Sequence, residues 1–78
     1  MIAIPVYKCR FCGTVHSSSG VTVSNKLLLS LEMVSDYNKI GSIQISGRGY
    51  PGYNTHECED GSIGISDLIG VKFEGDQI

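Results

Sequence analysis

Three cysteines and one histidine fall into two short clusters: Cys9-Arg10-Phe11-Cys12, followed by Gly13, and His56-Glu57-Cys58. Three thiols and an imidazole are the donor set of a closed tetrahedral site, in which zinc is held for structure rather than catalysis. A Cys-x-x-Cys pair places two sulfurs on one edge of a tetrahedron through a single tight turn, and Gly13 suits the positive φ that such a turn favours. His56 and Cys58 are two residues apart, so on an extended segment they point to the same side and can supply the opposite edge. The ligands expected from this spacing are Cys9, Cys12, His56 and Cys58, holding one structural Zn2+ per chain. His16, four residues beyond Cys12, is a rival for the fourth place, but it lies on the strand leaving the first turn and can swing away. Two other readings compete with a metal. The thiols could simply be buried or free, or the Cys-x-x-Cys could be a redox pair, although thioredoxin-like chemistry wants a larger βαβ context than this chain holds.

The elements that must position these residues have to be few. Seventy-eight residues read as one zinc-binding domain, and a chain of that size buries too little apolar surface to be comfortable without a staple. An odd number of cysteines cannot all pair within one chain, which favours a metal site over an extracellular disulfide framework. The start, Met1-Ile2-Ala3-Ile4-Pro5, shows no basic region and no long apolar run, and no stretch approaches the ~20 apolar residues of a membrane span. A reducing, cytoplasmic compartment is expected, with no membrane partner.

Ile2 to Lys8 reads as a strand entering the first cysteine pair. Pro5 lacks a ladder donor, so this strand is expected at an edge or to start late. Thr14–His16 and Val21–Val23 flank Ser17-Ser18-Ser19-Gly20 as a hairpin. In residues 25–36, Leu27, Leu28, Leu31 and Val34 recur at helical spacing behind Ser24 as a plausible N-cap, which predicts a helix of about three turns. Leu27, Leu29, Leu31 and Met33 also alternate with period two, so a strand stays open. Ile43 and Ile45 mark a strand within 40–46. Residues 47–54, with three glycines and a proline, read as a loop. Residues 61–68 read as a turn plus one helical turn, Ile69–Phe73 as a final strand, and the polar tail from Gly75 as frayed. The fold class predicted is α+β: a small antiparallel β structure with one helix inserted between the two metal-binding turns.

At these residues the chain resembles the zinc-ribbon group. Tyr7-Lys8-Cys9-Arg10-Phe11-Cys12-Gly13 looks like a zinc knuckle, and His56-Glu57-Cys58-Glu59-Asp60-Gly61 like a variant second one in which histidine replaces a thiolate. The resemblance implies a first knuckle at about 6–24 and a second knuckle with the final strand at 54–74. The helix and glycine-rich loop, 25–53, would be an insertion between them. The chain is also similar to short zinc-ribbon proteins carried by bacteriophages and other mobile elements, which would place it in a host cytoplasm. Zinc ribbons bind DNA, RNA or proteins, so the likeness implies a binding role without choosing the partner.

Charge bears on that choice. The formal net charge is −2, unevenly spread: residues 1–56 carry five basic groups against two acids, and residues 57–78 one against six. An acidic end suits a basic protein surface better than a phosphate backbone. Arg48, Tyr50 and Tyr53 in the glycine-rich segment are of the types enriched in interface hot spots. Together with Glu57, Glu59 and Asp60 they form the candidate contact surface. The function predicted is a structural-zinc binding module docking on a protein partner, as a regulator or inhibitor encoded by a mobile element. The alternative is a nucleic-acid-binding zinc ribbon using Lys8, Arg10, Lys26, Lys39 and Arg48 with the loop tyrosines. Apolar Ile69, Val71 and Phe73 offer an edge for homodimer pairing. Gly47-Arg48-Gly49-Tyr50-Pro51-Gly52 matches G-x-G-x-x-G, but Pro51 leaves no helix to open at the last glycine, so no dinucleotide site is read there. No nucleophile–base pair and no phosphate loop occur, and the expected ligands fill all four metal positions with protein donors. An enzyme is therefore not expected.

Overall fold

The structure is a computed structural model that describes residues 1–75; the expectation of a frayed tail falls largely on residues outside these. It is a small α+β fold with one helix and antiparallel strands in two sheets. The larger sheet is built on β1 (Ile2–Cys9) and β7 (Ile63–Glu74). β2 (Val15–Ser17) and β3 (Val21–Thr22) line the outer side of β1, and β6 (Tyr53–Glu57) pairs with the first half of β7. β4 (Ser42–Ile45) and β5 (Arg48–Pro51) form the second sheet, and α1 (Lys26–Ile40) precedes them.

β1 is therefore interior, not an edge, despite Pro5. The proline is tolerated because it falls where β1 has no partner strand on that side: β3 pairs with Ile2 and Ala3, β2 with Val6 to Lys8. The Pro5 carbonyl accepts from Ser18 N in this gap at 3.0 Å, so the missing N–H interrupts no ladder.

One face of this sheet does the burying. Ala3, Pro5, Tyr7 and Cys9 alternate inward along β1, opposite Phe73, Val71, Leu68 and Ser66 of β7. The β7 residues change parity between Val71 and Leu68 because Ile69 is an extra, unpaired residue in the ladder, a β-bulge. At the Ala3 end, α1 and the β4–β5 hairpin cover the face. There Ala3, Leu29, Ile43, Ile45 and Tyr50 form the core, with Val21, Val23, Met33, Leu68, Val71 and Phe73 packed around it. Among the described residues, no such layer covers the Cys9 end.

The helical alternative for 25–36 holds, and the helix continues to Ile40. Asn25 rather than Ser24 is the N-cap, accepting from Leu28 N at 3.0 Å through Oδ1. Gly41, with φ of 71°, ends it by donating to Tyr37 O at 2.9 Å. The expected apolar face is not the one buried: Leu27, Leu28, Leu31 and Val34 are exposed, whereas Leu29 is buried and Met33 packs on the core. Tertiary geometry sets this rotation, because β4 begins directly after the Gly41 cap and draws the Leu29 side of the helix onto the sheet.

Two further expectations are corrected. Residues 47–54 are not a loop. Ser46 and Gly47, both at positive φ, form the two-residue turn of the β4–β5 hairpin. Gly52 is needed for close approach, since a Cβ there would lie 2.7 Å from the Gly41 carbonyl oxygen. The short helical turn expected before Leu68 is also absent, because β7 already runs from Ile63. Beyond Asp67, the side of β7 facing away from β1 carries no partner strand among the described residues. No helix among them is long and apolar enough to cross a membrane.

Candidate metal centre

Cys9 is the last residue of β1, and the chain then turns back sharply. Cys9 N donates to Thr14 O and Gly13 N to Cys9 O, each at 2.9 Å, with Gly13 at φ of 78°. Cys58 opens a second turn just after β6. Its N donates to Ser62 O at 2.8 Å, Gly61 N donates to Cys58 O at 3.0 Å, and Gly61 has φ of 86°. Asp60 tightens this turn by accepting from Ser62 N at 2.9 Å, an Asx-type contact. β7 brings the two turns together because it pairs with both neighbours: Ser66 lies opposite Cys9, and Ile63 opposite Glu57.

The sulfurs of Cys9, Cys12 and Cys58 consequently lie within 4.8 Å of one another, with Cys9 and Cys58 3.9 Å apart. That is far beyond an S–S bond of about 2.05 Å, and all three cysteines are free. Cys9 and Cys58 are buried and Cys12 is exposed. These three residues could hold a metal ion, and their soft donors suit thiolate-binding ions.

Gly64, on β7 between β1 and β6, makes this approach feasible. A Cβ at Gly64 would collide with Cys9 Sγ, sit 2.9 Å from Phe11 Cβ and 3.6 Å from Cys58 Sγ. Sequence reasoning passed over Gly64; a glycine inside the alternating run Ile63-Gly64-Ile65 was the available signal of a close approach.

The thiols differ electrostatically. Thr14 Oγ1 lies 3.1 Å from Cys12 Sγ. Hydrogen bonding from Thr14 favours the thiolate and brings the Cys12 pKa down to about 6. Burial, followed by the neighbouring thiols, pushes Cys58 up to about 12. One member of the cluster is thus poised to bind, while a metal must displace the proton of another.

Neither histidine joins the sulfurs. Among the described residues, no imidazole nitrogen or carboxylate oxygen lies within the same 4.8 Å grouping. His56, the expected fourth ligand, sits opposite Gly64 on β6 and stacks on His16, with ring centroids 4.8 Å apart and planes at 17°. His16 stacks in turn on Tyr7 at 5.8 Å, and its Nε2 lies 2.6 Å from Ser66 Oγ. Tyr7 donates its hydroxyl to Pro51 O at 2.8 Å. The two imidazoles thus cover the middle of the sheet face beside the thiols instead of completing their tetrahedron.

The candidate contact residues separate as well. Tyr50 is only 8 % exposed and donates to Ser19 O at 3.0 Å, so it belongs to the core. Arg48, Tyr53, Glu57, Glu59 and Asp60 are exposed. Arg10 makes a bidentate pair with Asp67 at 2.6 and 2.7 Å and lies over the Tyr53 ring at 5.7 Å. No protein-family model matches the chain, and no curated protein or solved structure matches it either.

Proposed function

We propose that this protein is a small binding module stapled by a structural zinc ion held by Cys9, Cys12 and Cys58, and that it acts by docking on a protein partner. One observation carries the metal reading. At a Zn–S distance of about 2.3 Å, the edge of a tetrahedron is about 3.8 Å, and Cys9 Sγ and Cys58 Sγ stand 3.9 Å apart. The need is physical as well. The apolar core of five buried residues lies at the Ala3 end, so the Cys9 end lacks a core of its own, and a metal joining Cys9 and Cys12 to Cys58 would close it. The two glycine turns resemble zinc knuckles, now with three thiolates and without His56.

Protein rather than nucleic acid is favoured by what lies on the surface. Leu27, Leu31 and Val34 are 72, 64 and 64 % exposed and fall at i, i+4 and i+7 on α1, an apolar stripe of the kind that protein partners cover. Two residues of the basic set needed for phosphate binding are engaged elsewhere: Arg10 with Asp67 and Lys26 over the Phe73 ring.

Native mass spectrometry of protein prepared without added metal, before and after a strong chelator, tests the zinc reading. One zinc per chain is expected, and its removal should lower the thermal unfolding midpoint while the two turns keep their metal-free geometry. Protein that carries no metal and takes up none would overturn it. A pull-down in which a variant with Leu27, Leu31 and Val34 all changed to Ser still retains the wild-type partner would remove the docking stripe.

A further inference from the structure

We infer that the described residues of this chain leave the metal centre one donor short, and that its fourth position takes a neutral imidazole, the histidine side chain of a partner protein. This rests on the metal reading above. Three thiols converge, and no histidine, aspartate or glutamate among the described residues joins them. His56 stacks on His16, which in turn stacks on Tyr7 and lies against Ser66 Oγ. In sequence, the second turn reads Cys58-Glu59-Asp60-Gly61, with glycine where a second Cys-x-x-Cys would carry its thiol. The space beside the sulfurs is a cleft of about 360 Å³ lined by Phe11, Cys12, Thr14, Cys58, Glu59 and Asp60. An incoming donor would reach two of the three sulfurs there.

The cleft also selects the donor. Three thiolates on a divalent ion leave one net negative charge, and Glu59 and Asp60 add two more at the rim. A fourth anionic donor, thiolate or carboxylate, would enter against like charge, whereas an imidazole brings none. Zinc accepts imidazole nitrogen readily in company with thiolates. Phe11, 65 % exposed, offers a ring face or edge against which an imidazole can pack. A histidine flanked by basic residues fits the acidic rim; free imidazole would supply the same nitrogen without that complement.

Cobalt(II) replaces zinc in thiolate sites and reports its donors through its visible d–d bands and its sulfur-to-metal charge-transfer band. The cobalt-loaded protein is titrated with free imidazole, with blocked Lys-His-Lys and Glu-His-Glu tripeptides, and with azide. The expected result is a saturable d–d shift with all three imidazole donors. Lys-His-Lys should saturate at about fivefold lower concentration than free imidazole, the worth of two exposed ion pairs, and lose that advantage in high salt. His16→Ala and His56→Ala should start from the wild-type spectrum and respond in the same way. A spectrum unmoved by every imidazole donor, or altered by His56→Ala or His16→Ala before any addition, overturns the open position. Azide binding more tightly than imidazole overturns the choice of donor, and equal binding of free imidazole and Lys-His-Lys overturns the partner side chain. Absence of the charge-transfer band would instead remove the metal site itself.

Discussion

Replacing Gly64 by alanine adds one methyl group where the structure has no room for it. The new Cβ would collide with Cys9 Sγ and approach Phe11 Cβ to 2.9 Å. Restoring an ordinary contact of about 3.5–4 Å requires the sulfur to move by on the order of 1 Å, several times the ~0.2 Å latitude of a metal–ligand distance. Without metal, the Cys9 side chain can rotate away from the methyl. With metal, it is pinned, so the strain falls on the loaded state. Overpacking of this kind costs roughly 1–3 kcal/mol, which corresponds to about a 5–150-fold loss of zinc affinity. Competition against a chromophoric chelator measures this directly. Gly70→Ala on the same strand is the control, since a Cβ at Gly70 meets nothing within 4 Å; it should bind zinc as wild type does. Wild-type affinity in Gly64→Ala would refute the argument that Gly64 sets the sulfur geometry.

Serine at Cys9, Cys12 or Cys58 should weaken zinc binding by more than the roughly 10–100-fold that a supporting residue commands, whereas His56→Ala should stay within about tenfold; the same chelator assay distinguishes them. In chelated protein, alkylation of Cys12 by iodoacetamide should rise with pH through about 6 and then level off, because above its lowered pKa the thiol is already ionised. Cys58, pushed up to about 12, should stay unmodified to pH 9; mass mapping reads both, and a Cys12 rate still climbing steeply from pH 7 to 8 would contradict the Thr14 effect. Leu29→Ala, which empties the helix's one buried position, should cost about 2–5 kcal/mol in denaturant unfolding. Arg10→Ala, which breaks an exposed pair, should cost no more than about 1 kcal/mol.

Much of this was legible in the residues because some signals are local. Cys9-x-x-Cys12-Gly13 and Cys58 with Gly61 announced two turns that need glycine at positive φ, and both glycines have it. The α+β class and the existence of a helix also followed from pattern. The placement of His56 did not, because it lies on the thiol side of the sheet and only its stacking on His16, a contact between residues forty apart, sets its ring beside the other imidazole. The stretch 47–54 misled because glycines were read as breakers, although one makes a hairpin turn and another lets two backbones touch. The buried side of α1 was hidden for a related reason: leucines lie all around its first turns, and only the packing of β4 selects among them.

The unpaired Ile69 in β7 acts as a phase shifter between the two ends of the molecule. Odd-numbered Phe73 and Val71 and even-numbered Leu68, Ser66 and Gly64 share one face of the sheet only because a single residue is skipped between them. Deleting Ile69 would put the strand back in simple alternation. One end must then turn its set outward: either Val71 and Phe73 leave the apolar core, or Gly64 and Ser66 leave the thiols and His16. Ile69 is itself exposed and could exchange its side chain freely, yet its presence as a spacer is required at both ends. The length of β7 is thus fixed at that point by two unrelated demands, and substitution tolerance there is no guide to deletion tolerance.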